Sequence, residues 1–200
     1  MVCEHLALQT VREAGHPAAI SSIREINERM YLEVERFDRT DVNGRLPLVS
    51  LGVVDDEFFG CRDSWISAAD RLETAKMLSR HDASSLRWLS LFGDMIANTD
   101  QHFGNVSLVP ENLAFSSFSL APAYDILPML FRPRDGELIE REFHPPPPSI
   151  LLEWHSAGLA AVRFWELAAS DERISSGFRD MCAQARASVA ERLQAPRLIV

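Results

Sequence analysis

The chain has 200 residues, a length that favours one domain, or one lobe with part of another, and that can bury a hydrophobic core. Its net charge of −9, with 46% hydrophobic and 24% charged residues, is typical of an ordinary soluble globular protein and speaks against non-specific binding to nucleic acid or to an anionic membrane surface. No apolar run approaches the length of a membrane span, and three scattered cysteines indicate neither a disulfide framework nor a zinc site, so we expect a cytoplasmic protein.

The first predicted elements form a small N-terminal unit. Apolar spacing predicts a helix over residues 3–14, and Gly15 is the expected stop signal. Two strands, 19–26 and 30–37, are predicted on either side of a polar turn at Asn27 and Glu28. The polar stretch 38–45 is the expected boundary between this unit and the rest of the chain, and 46–59 is expected to be irregular.

The remaining residues predict mainly helices. Amphipathic spacing favours helices over 68–79 and 84–96, the second with Asp82 as its N-cap. A hairpin over 106–109 and 115–120, turning at Pro110, separates them from two C-terminal helices near 158–169 and 177–193. The four prolines 145–148 are expected to form a polyproline II segment on the surface. The sequence therefore predicts a mainly helical α+β fold.

Three polar residues in the second half match the order that phosphoryl transfer needs. The segment from Asn98 to Asn105 reads N-T-D-Q-H-F-G-N, and Asp125 follows it in A-P-A-Y-D-I-L. Protein kinases use an aspartate that accepts the substrate's hydroxyl proton, an asparagine five residues later that binds Mg²⁺, and a later aspartate that binds the metal bridging the phosphates. With a helix predicted before the segment and a hairpin after it, we expect Asp100, Asn105 and Asp125 at one edge of a small sheet, within reach of Mg²⁺.

The spacing between Asp and Asn is a weak signal by itself. Asp38 and Asn43 have the same spacing, and Asp56 follows them, so one of the two matches arises by chance. No helix is predicted before Asp38, and the residues after it are turn-like. We interpret Asp38 as a turn residue, or as a partner of Arg36 or Arg39.

A structural interpretation of the second match stays open. Asn98, Asp100 and Asn105 also fit a capping cluster at a helix end, because Asn and Asp favour turns through local hydrogen bonds. Asp125 lies in an otherwise apolar stretch, where a carboxylate needs a partner such as a metal, and this favours function. For His102 we expect a structural role, as a donor to a backbone carbonyl.

The two motifs resemble a known kinase family. N-T-D-Q-H-F-G-N-V-S-L and L-A-P-A-Y-D-I-L-P-M-L are similar to the C-terminal domain of HipA-like serine/threonine kinases, the toxins of bacterial toxin–antitoxin pairs, and L-F-R-P and P-P-P-P resemble the YjjJ-type branch. The resemblance covers most of the chain. It implies the C-terminal lobe of a protein-kinase-like fold, with residues 1–38 as a remnant of the N-terminal lobe and 39–200 as the HipA-like C-terminal lobe.

The resemblance also assigns roles by position. It implies Asp100 as the catalytic base and Asn105 and Asp125 as ligands of Mg²⁺. The segment E-R-F-D-R at 35–39 resembles the connection between the lobes, which places Glu35 and Phe37 near the adenine. The implied cofactors are Mg²⁺ and ATP, the implied acceptor is a protein hydroxyl, and the implied partners are an antitoxin or a protein substrate.

The chain departs from the family in its first part. A full kinase has a Gly-rich loop and a lysine-bearing strand before its first helix, and no G-x-G-x-x-G or such lysine precedes Asp100 here. The sole lysine, Lys76, lies between the expected lobe boundary and the predicted catalytic loop, and the resemblance suggests Glu4 as the helix acid that a phosphate-binding lysine would pair with. We therefore expect a truncated N-terminal lobe and activity only with a lobe supplied by another chain. Two alternatives stay open: a non-catalytic remnant or partner-binding module that keeps a magnesium pocket, and a metal-dependent phosphoesterase or nuclease with Asp100, His102 and Asp125 as ligands.

Overall fold

The N-terminal unit consists of one helix and one hairpin. A computed structural model describes residues 1–40, 44–133, 139 and 141–195. Helix α1 (Val2–Glu13) is followed by Gly15, whose φ of 88° suits glycine. Strands β1 (Ser21–Ile26) and β2 (Arg29–Val34) pair antiparallel, and Asn27 and Glu28 between them both have positive φ, as a type I′ turn requires. The predicted helix and strand pair are confirmed.

The next segment is ordered, so the prediction of an irregular stretch over 46–59 is wrong. It contains the short strand β3 (Val49–Ser50) and helix α2 (Leu51–Phe58). The Ser50 hydroxyl accepts a hydrogen bond from the Val53 amide and caps the helix. Two turns of helix are too few for a clear amphipathic period, which explains why apolar spacing did not reveal α2.

Helix α3 (Trp65–Thr74) begins at Trp65, three residues before its predicted start, and Ser64 is its N-cap. It also ends earlier than predicted. Lys76 has a φ of 57°, and the amide of Met77 bonds back to the carbonyl of Leu72, as in a Schellman closure. The sole lysine of the sequence is therefore exposed at a helix end.

Helix α4 (Arg80–Met95) confirms the predicted helix, but Asp82 is not its N-cap. Ser79 is the cap, and its hydroxyl accepts from the backbone amide of Asp82. The side chains of Ser85, Leu89 and Phe92 are buried along this helix. Its C-terminal end delivers the chain to the predicted catalytic loop.

A small antiparallel sheet follows that loop. A 3₁₀ turn (Phe103–Asn105) leads into β4 (Ser107–Pro110), which pairs with both β3 and β5 (Phe118–Leu120). The predicted hairpin is confirmed. Its register sets Leu108 opposite Leu120, and the amide of Ala121 bonds to the carbonyl of Ser107. The start of β4 and the end of β5 therefore lie at the same end of the sheet.

The two predicted C-terminal helices are confirmed as α5 (Trp154–Ser170) and α6 (Ser176–Gln194). The indole of Trp165 donates to the carbonyl of Met95 and fixes α5 on the end of α4. The surface prediction for the proline segment is wrong at Pro145, which is buried next to α6.

The N-terminal unit and the later elements share one hydrophobic core. The amide of Ala19 bonds to the carbonyl of Ala123, and the amide of Ala123 bonds to the carbonyl of Pro17. His16 stacks on Trp88 of α4 with ring centroids 4.1 Å apart. The division into 1–38 and 39–200 stays a prediction. In the described part of the chain, no helix combines the length and apolarity needed to cross a membrane.

Candidate active site

The loop that carries Asp100 begins with a tight helix stop. Ala97 has a φ of 60°, its amide bonds to the carbonyl of Asp94, and the amide of Asn98 bonds to the carbonyl of Gly93. These two bonds make a Schellman motif with alanine in the left-handed position. The carbonyl of Ala97 also accepts from the amide of Leu130, which ties the helix end to the segment after Asp125.

Two asparagines hold the backbone of Asp100. The buried Asn98 accepts from the Asp100 amide through Oδ1, at 3.1 Å. Asn105 donates from Nδ2 to the Asp100 carbonyl, at 2.9 Å. Both hydrogen bonds involve the backbone of Asp100 and neither involves its carboxylate. The side chain of Asp100 is 45% exposed. Because Asn105 uses its amide nitrogen here, its Oδ1 is the atom suited to a metal.

His102 has a structural role, but as an acceptor and not as the expected donor. Its Nδ1 accepts from the amide of Gly104, at 3.0 Å, and caps the short 3₁₀ turn. An accepting Nδ1 carries no proton, so the neutral ring is protonated at Nε2. That nitrogen is 3.8 Å from Oδ1 of Asp100.

Asp125 has a left-handed backbone conformation and lies in an exposed turn. Its φ is 53°, a conformation that Asp adopts more readily than most residues. The preceding residue, Tyr124, donates from its hydroxyl to the Gly104 carbonyl at 3.1 Å, and its hydroxyl lies 2.8 Å from the Ser107 hydroxyl. Asn105 and Asp125 are therefore each one residue away from the same hydrogen bond.

A cleft of about 400 Å³ contains three of the predicted site residues. Glu35 and Phe37 come from the segment after β2, and Asp125 comes from the turn after β5. The ring of Tyr124 lies 6.0 Å from that of Phe37, centroid to centroid. Glu4 of α1 also lines the cleft. The lining does not include Asp100 or Asn105, which lie on the loop that Tyr124 contacts through the carbonyl of Gly104.

Glu4 lies close enough to Asp125 for the negative charge of Asp125 to affect the pKa of Glu4. Burial raises the pKa of Glu4 above its ordinary value, and the negative charge of Asp125 raises it further. A carboxylate pair of this kind is relieved by a cation, which is what a magnesium ion or a basic side chain would supply. The cleft therefore favours positively charged groups beside Asp125.

Other predicted residues have purely structural partners. Arg36 donates to both carboxylate oxygens of Asp38, each at 2.6 Å, and Nε of Arg39 lies 3.6 Å from the same carboxylate. This confirms the interpretation of Asp38 as an arginine partner. Asn43, the other half of that chance match, lies outside the described residues.

Two packing features of the loop were missed by the sequence interpretation. The hydroxyl of Tyr124 donates to the carbonyl of Gly104 in the loop that follows Asp100. In the sequence, Tyr124 stands out only because it precedes Asp125. Gln101 lies flat against Gly93 of α4 and donates to Asp94 at 2.6 Å. Nothing in the sequence indicates that the side chain of Gln101 packs against Gly93, eight residues earlier.

A family model and a relative of known sequence both match this chain over most of its length. Residues 1–191 match the family model described as the HipA-like C-terminal domain. The chain is 34% identical over 194 residues to Toxin YjjJ of Escherichia coli, which covers 92% of this chain and 42% of that protein. The chain thus spans less than half the length of this curated relative.

Two solved structures share the fold. HipA of Shewanella oneidensis, from a toxin–antitoxin complex with HipB and its operator DNA, superposes with a TM-score of 0.66 at 19% identity, over 96% of this chain and 55% of that one. The proinflammatory kinase CtkA of Helicobacter pylori superposes with a TM-score of 0.63 at 11% identity, over 96% of this chain and 79% of that one. At these identities the likeness concerns the fold alone, and it confirms the predicted mainly helical α+β fold of a kinase-like C-terminal lobe.

Proposed function

The chain belongs to the HipA-like C-terminal domain family, and we propose that it carries the base-and-metal half of a serine/threonine kinase site. In this proposal Asp100 accepts the proton of a protein hydroxyl, and Asn105 and Asp125 are the ligands of Mg²⁺. Glu35 and Phe37 line the adenine end of the cleft. The observation that carries the proposal is the single cleft that joins Glu35 and Phe37 to Asp125, with Tyr124 linking it to the catalytic loop.

The donor set fits the proposed ion. Carboxylate and carboxamide oxygens are the ligands that Mg²⁺ prefers, and it is bound in phosphoryl-transfer sites by one or two such protein groups together with substrate phosphates. When bound, the ion neutralises the charge that develops on the transferred phosphoryl group. The part of Asp100 is different: its exposed carboxylate accepts the proton of the attacking hydroxyl, while Asn98 and Asn105 hold its backbone still.

We further propose that these 200 residues do not complete phosphoryl transfer by themselves. The transfer depends on positioning and electrostatics, which a Gly-rich loop and a lysine normally supply, and Lys76 ends a helix outside the cleft. Residues 1–38 would belong to the N-terminal lobe, beside a C-terminal lobe over 39–200, and residues outside these 200 would supply the rest of the N-terminal lobe. An antitoxin or protein substrate would be the partner, and the need for ATP favours the cytoplasm.

The phosphoesterase or nuclease alternative has less support. Among the described residues, no group of three or more His, Cys, Asp or Glu side chains is placed to hold a metal, so Asp100, His102 and Asp125 do not form such a cluster. The net charge of −9 also disfavours a nucleic-acid substrate. The non-catalytic remnant differs from the kinase proposal in one observable, which is binding of nucleotide with Mg²⁺.

Calorimetric titration of ATP into the purified chain, with and without Mg²⁺, tests the proposal. The variant is Asp125→Asn, because Asn fits the left-handed backbone and removes the charge with little change in shape. Asp180→Asn on the exposed side of α6 is the matched control, since it removes the same charge away from the cleft. We expect Mg²⁺-dependent binding in the wild type and the control, and its loss in Asp125→Asn.

The other outcomes decide between the alternatives. Nucleotide binding that depends neither on Mg²⁺ nor on Asp125 would contradict the proposed ligand. Binding of metal alone, together with hydrolysis of a phosphodiester, would support the phosphoesterase. No binding of nucleotide and no hydrolysis of a phosphodiester would leave the non-catalytic remnant, and binding of Mg²⁺ alone would show that it keeps its magnesium pocket.

A further inference from the structure

The hydroxyl of Tyr124 joins the turn of Asp125 to the loop of Asn105. It lies 3.1 Å from the carbonyl oxygen of Gly104 and 2.8 Å from the hydroxyl oxygen of Ser107. Ser107 is the first residue of β4 and pairs with β3. The phenol therefore lies between a fixed strand and the loop just before it.

The direction of these hydrogen bonds follows from their chemistry. The Gly104 carbonyl has no hydrogen to give, so the single phenolic hydrogen must point toward it. The Ser107 hydroxyl is then the donor to the oxygen of Tyr124. The result is a directed chain from Ser107 through Tyr124 to Gly104, and replacing the phenol by a phenyl ring removes both of its links at once.

Two members of this hydrogen-bond chain, Gly104 and Tyr124, are next to a proposed metal ligand. Gly104 precedes Asn105, and Tyr124 precedes Asp125. Without the bond, the two ligands are held by separate loops, and bringing them together would cost conformational entropy when the ion binds. The aromatic ring of the same residue lies in the cleft beside Phe37.

We propose that Tyr124 is a positioning residue that holds the loops of Asn105 and Asp125 next to each other, so that both side chains could bind one Mg²⁺, while its ring forms part of the wall of the nucleotide cleft. This inference rests on the proposed function, because it concerns the ligands named there. It assigns two separable tasks to one side chain. The hydroxyl acts on the metal ligands, and the ring acts on the base of the nucleotide.

Substitution by phenylalanine separates the two tasks. Tyr124→Phe keeps the ring and removes the hydroxyl, whereas Tyr31→Phe makes the same change on the exposed face of β2 and is the matched control. The affinity for adenosine, which has no phosphates, measures the contribution of the cleft wall alone. The affinity for ATP over a range of Mg²⁺ concentrations measures the contribution of the proposed metal ligands.

For Tyr124→Phe we expect unchanged adenosine affinity, and an ATP affinity at limiting Mg²⁺ that is about three- to tenfold weaker, because of its two lost hydrogen bonds only the one to Gly104 joins the two ligand loops. The Mg²⁺ concentration at half-saturation should rise by a similar factor. Tyr31→Phe should match the wild type in both assays. A merely structural hydroxyl would lower the melting temperature without moving the Mg²⁺ midpoint.

Two results would overturn the inference in distinguishable ways. If wild type binds ATP with Mg²⁺ and Tyr124→Phe has the same Mg²⁺ midpoint, the positioning role is wrong while the proposed function stands. If wild type shows no Mg²⁺-dependent binding, both are wrong. Should Tyr124→Phe fail to fold, Ser107→Ala tests the same chain from its other end, and the Mg²⁺ midpoint should shift in the same direction by a smaller factor.

Discussion

Because Gly93 has no side chain, Gln101 of the loop that carries Asp100 can pack directly on helix α4. Adding a single methyl group at Gly93 tests this packing. A Cβ at Gly93 would lie 3.0 Å from both Cδ and Nε2 of Gln101 and 3.4 Å from its Oε1, and these are the three nearest atoms. Gln101 follows Asp100 directly and is fixed by its 2.6 Å bond to Asp94. The substitution Gly93→Ala therefore pushes on the loop that carries the proposed base.

The expected size of the effect comes from two opposing contributions. Replacing glycine by alanine inside a helix stabilises the folded state by about 1 kcal/mol. Against this, the amide of Gln101 must move by about 0.5 Å to reach ordinary contact, which weakens a bond with a net value of about 1 kcal/mol. Gly93→Ala alone should therefore change the free energy of unfolding by less than about 0.5 kcal/mol. In a Gln101→Ala background nothing opposes the methyl group, and the gain should be about 1 kcal/mol.

Urea denaturation of the four proteins of this double-mutant cycle measures the difference. A coupling of about 1 kcal/mol exceeds the 0.3–0.5 kcal/mol by which independent sites usually depart from additivity. Gly177→Ala on α6 is the control, because a Cβ there meets nothing within 4 Å and its effect should be equal in both backgrounds. An equal gain from Gly93→Ala with and without Gln101 would refute the packing of the loop on α4.

Three further outcomes are expected. Lys76→Gly should raise the free energy of unfolding by about 1 kcal/mol in urea titrations, because glycine adopts the left-handed helix stop without strain, and a loss of stability would contradict the helix-end role. Arg87→Ala should lower the free energy of unfolding by about 2–3 kcal/mol in the same assay, since the side chains of Arg87 and Glu153 are both only 12% exposed and the substitution removes one partner of Glu153. A change below about 0.5 kcal/mol would contradict this. Because the pKa of Glu4 is raised in the folded state, the unfolded chain loses that proton first, and stability falls as pH rises from about 4.3 through the folded value. Asp125→Asn should make this fall smaller, as unfolding at a series of pH values would measure, and an unchanged slope would exclude the charge interaction.

The elements that the sequence predicted are those with a long apolar period or a clear turn. The period of α4 covers four helical turns, and Asn27 with Glu28 suits a tight hairpin. The missed helix α2 and the wrong N-cap of α4 both depend on single capping atoms. Ser50 caps only two turns of helix, and Ser79 competes with Asp82 for the same cap. In that second case the pattern S-x-x-D was a usable signal, because the serine bonds the amide of the acidic residue three positions on.

The candidate site was predictable in its residue types and chain order, but not in its packing. The predicted helix and hairpin place the loop of Asp100 and Asn105 and the turn of Asp125 at the same end of the sheet, as the structure shows, while the roles of these residues stay predictions. Which side chain joins these loops depends on long-range register. The pairing of β4 with β5 brings Tyr124 next to Gly104, twenty residues away, and local sequence carries no trace of that contact.

The capping and catalytic interpretations of the loop turn out to describe different atoms. Asn98 and Asn105 do form local hydrogen bonds at a helix end, as the capping interpretation expects, and both bonds go to the backbone of Asp100. A carboxylate whose own backbone is held from two sides loses less conformational freedom when it engages a substrate. The local hydrogen bonds are therefore compatible with the proposed role of Asp100 as a base, because they occupy the amide nitrogen of Asn105 and leave its Oδ1 and the carboxylate of Asp100 available.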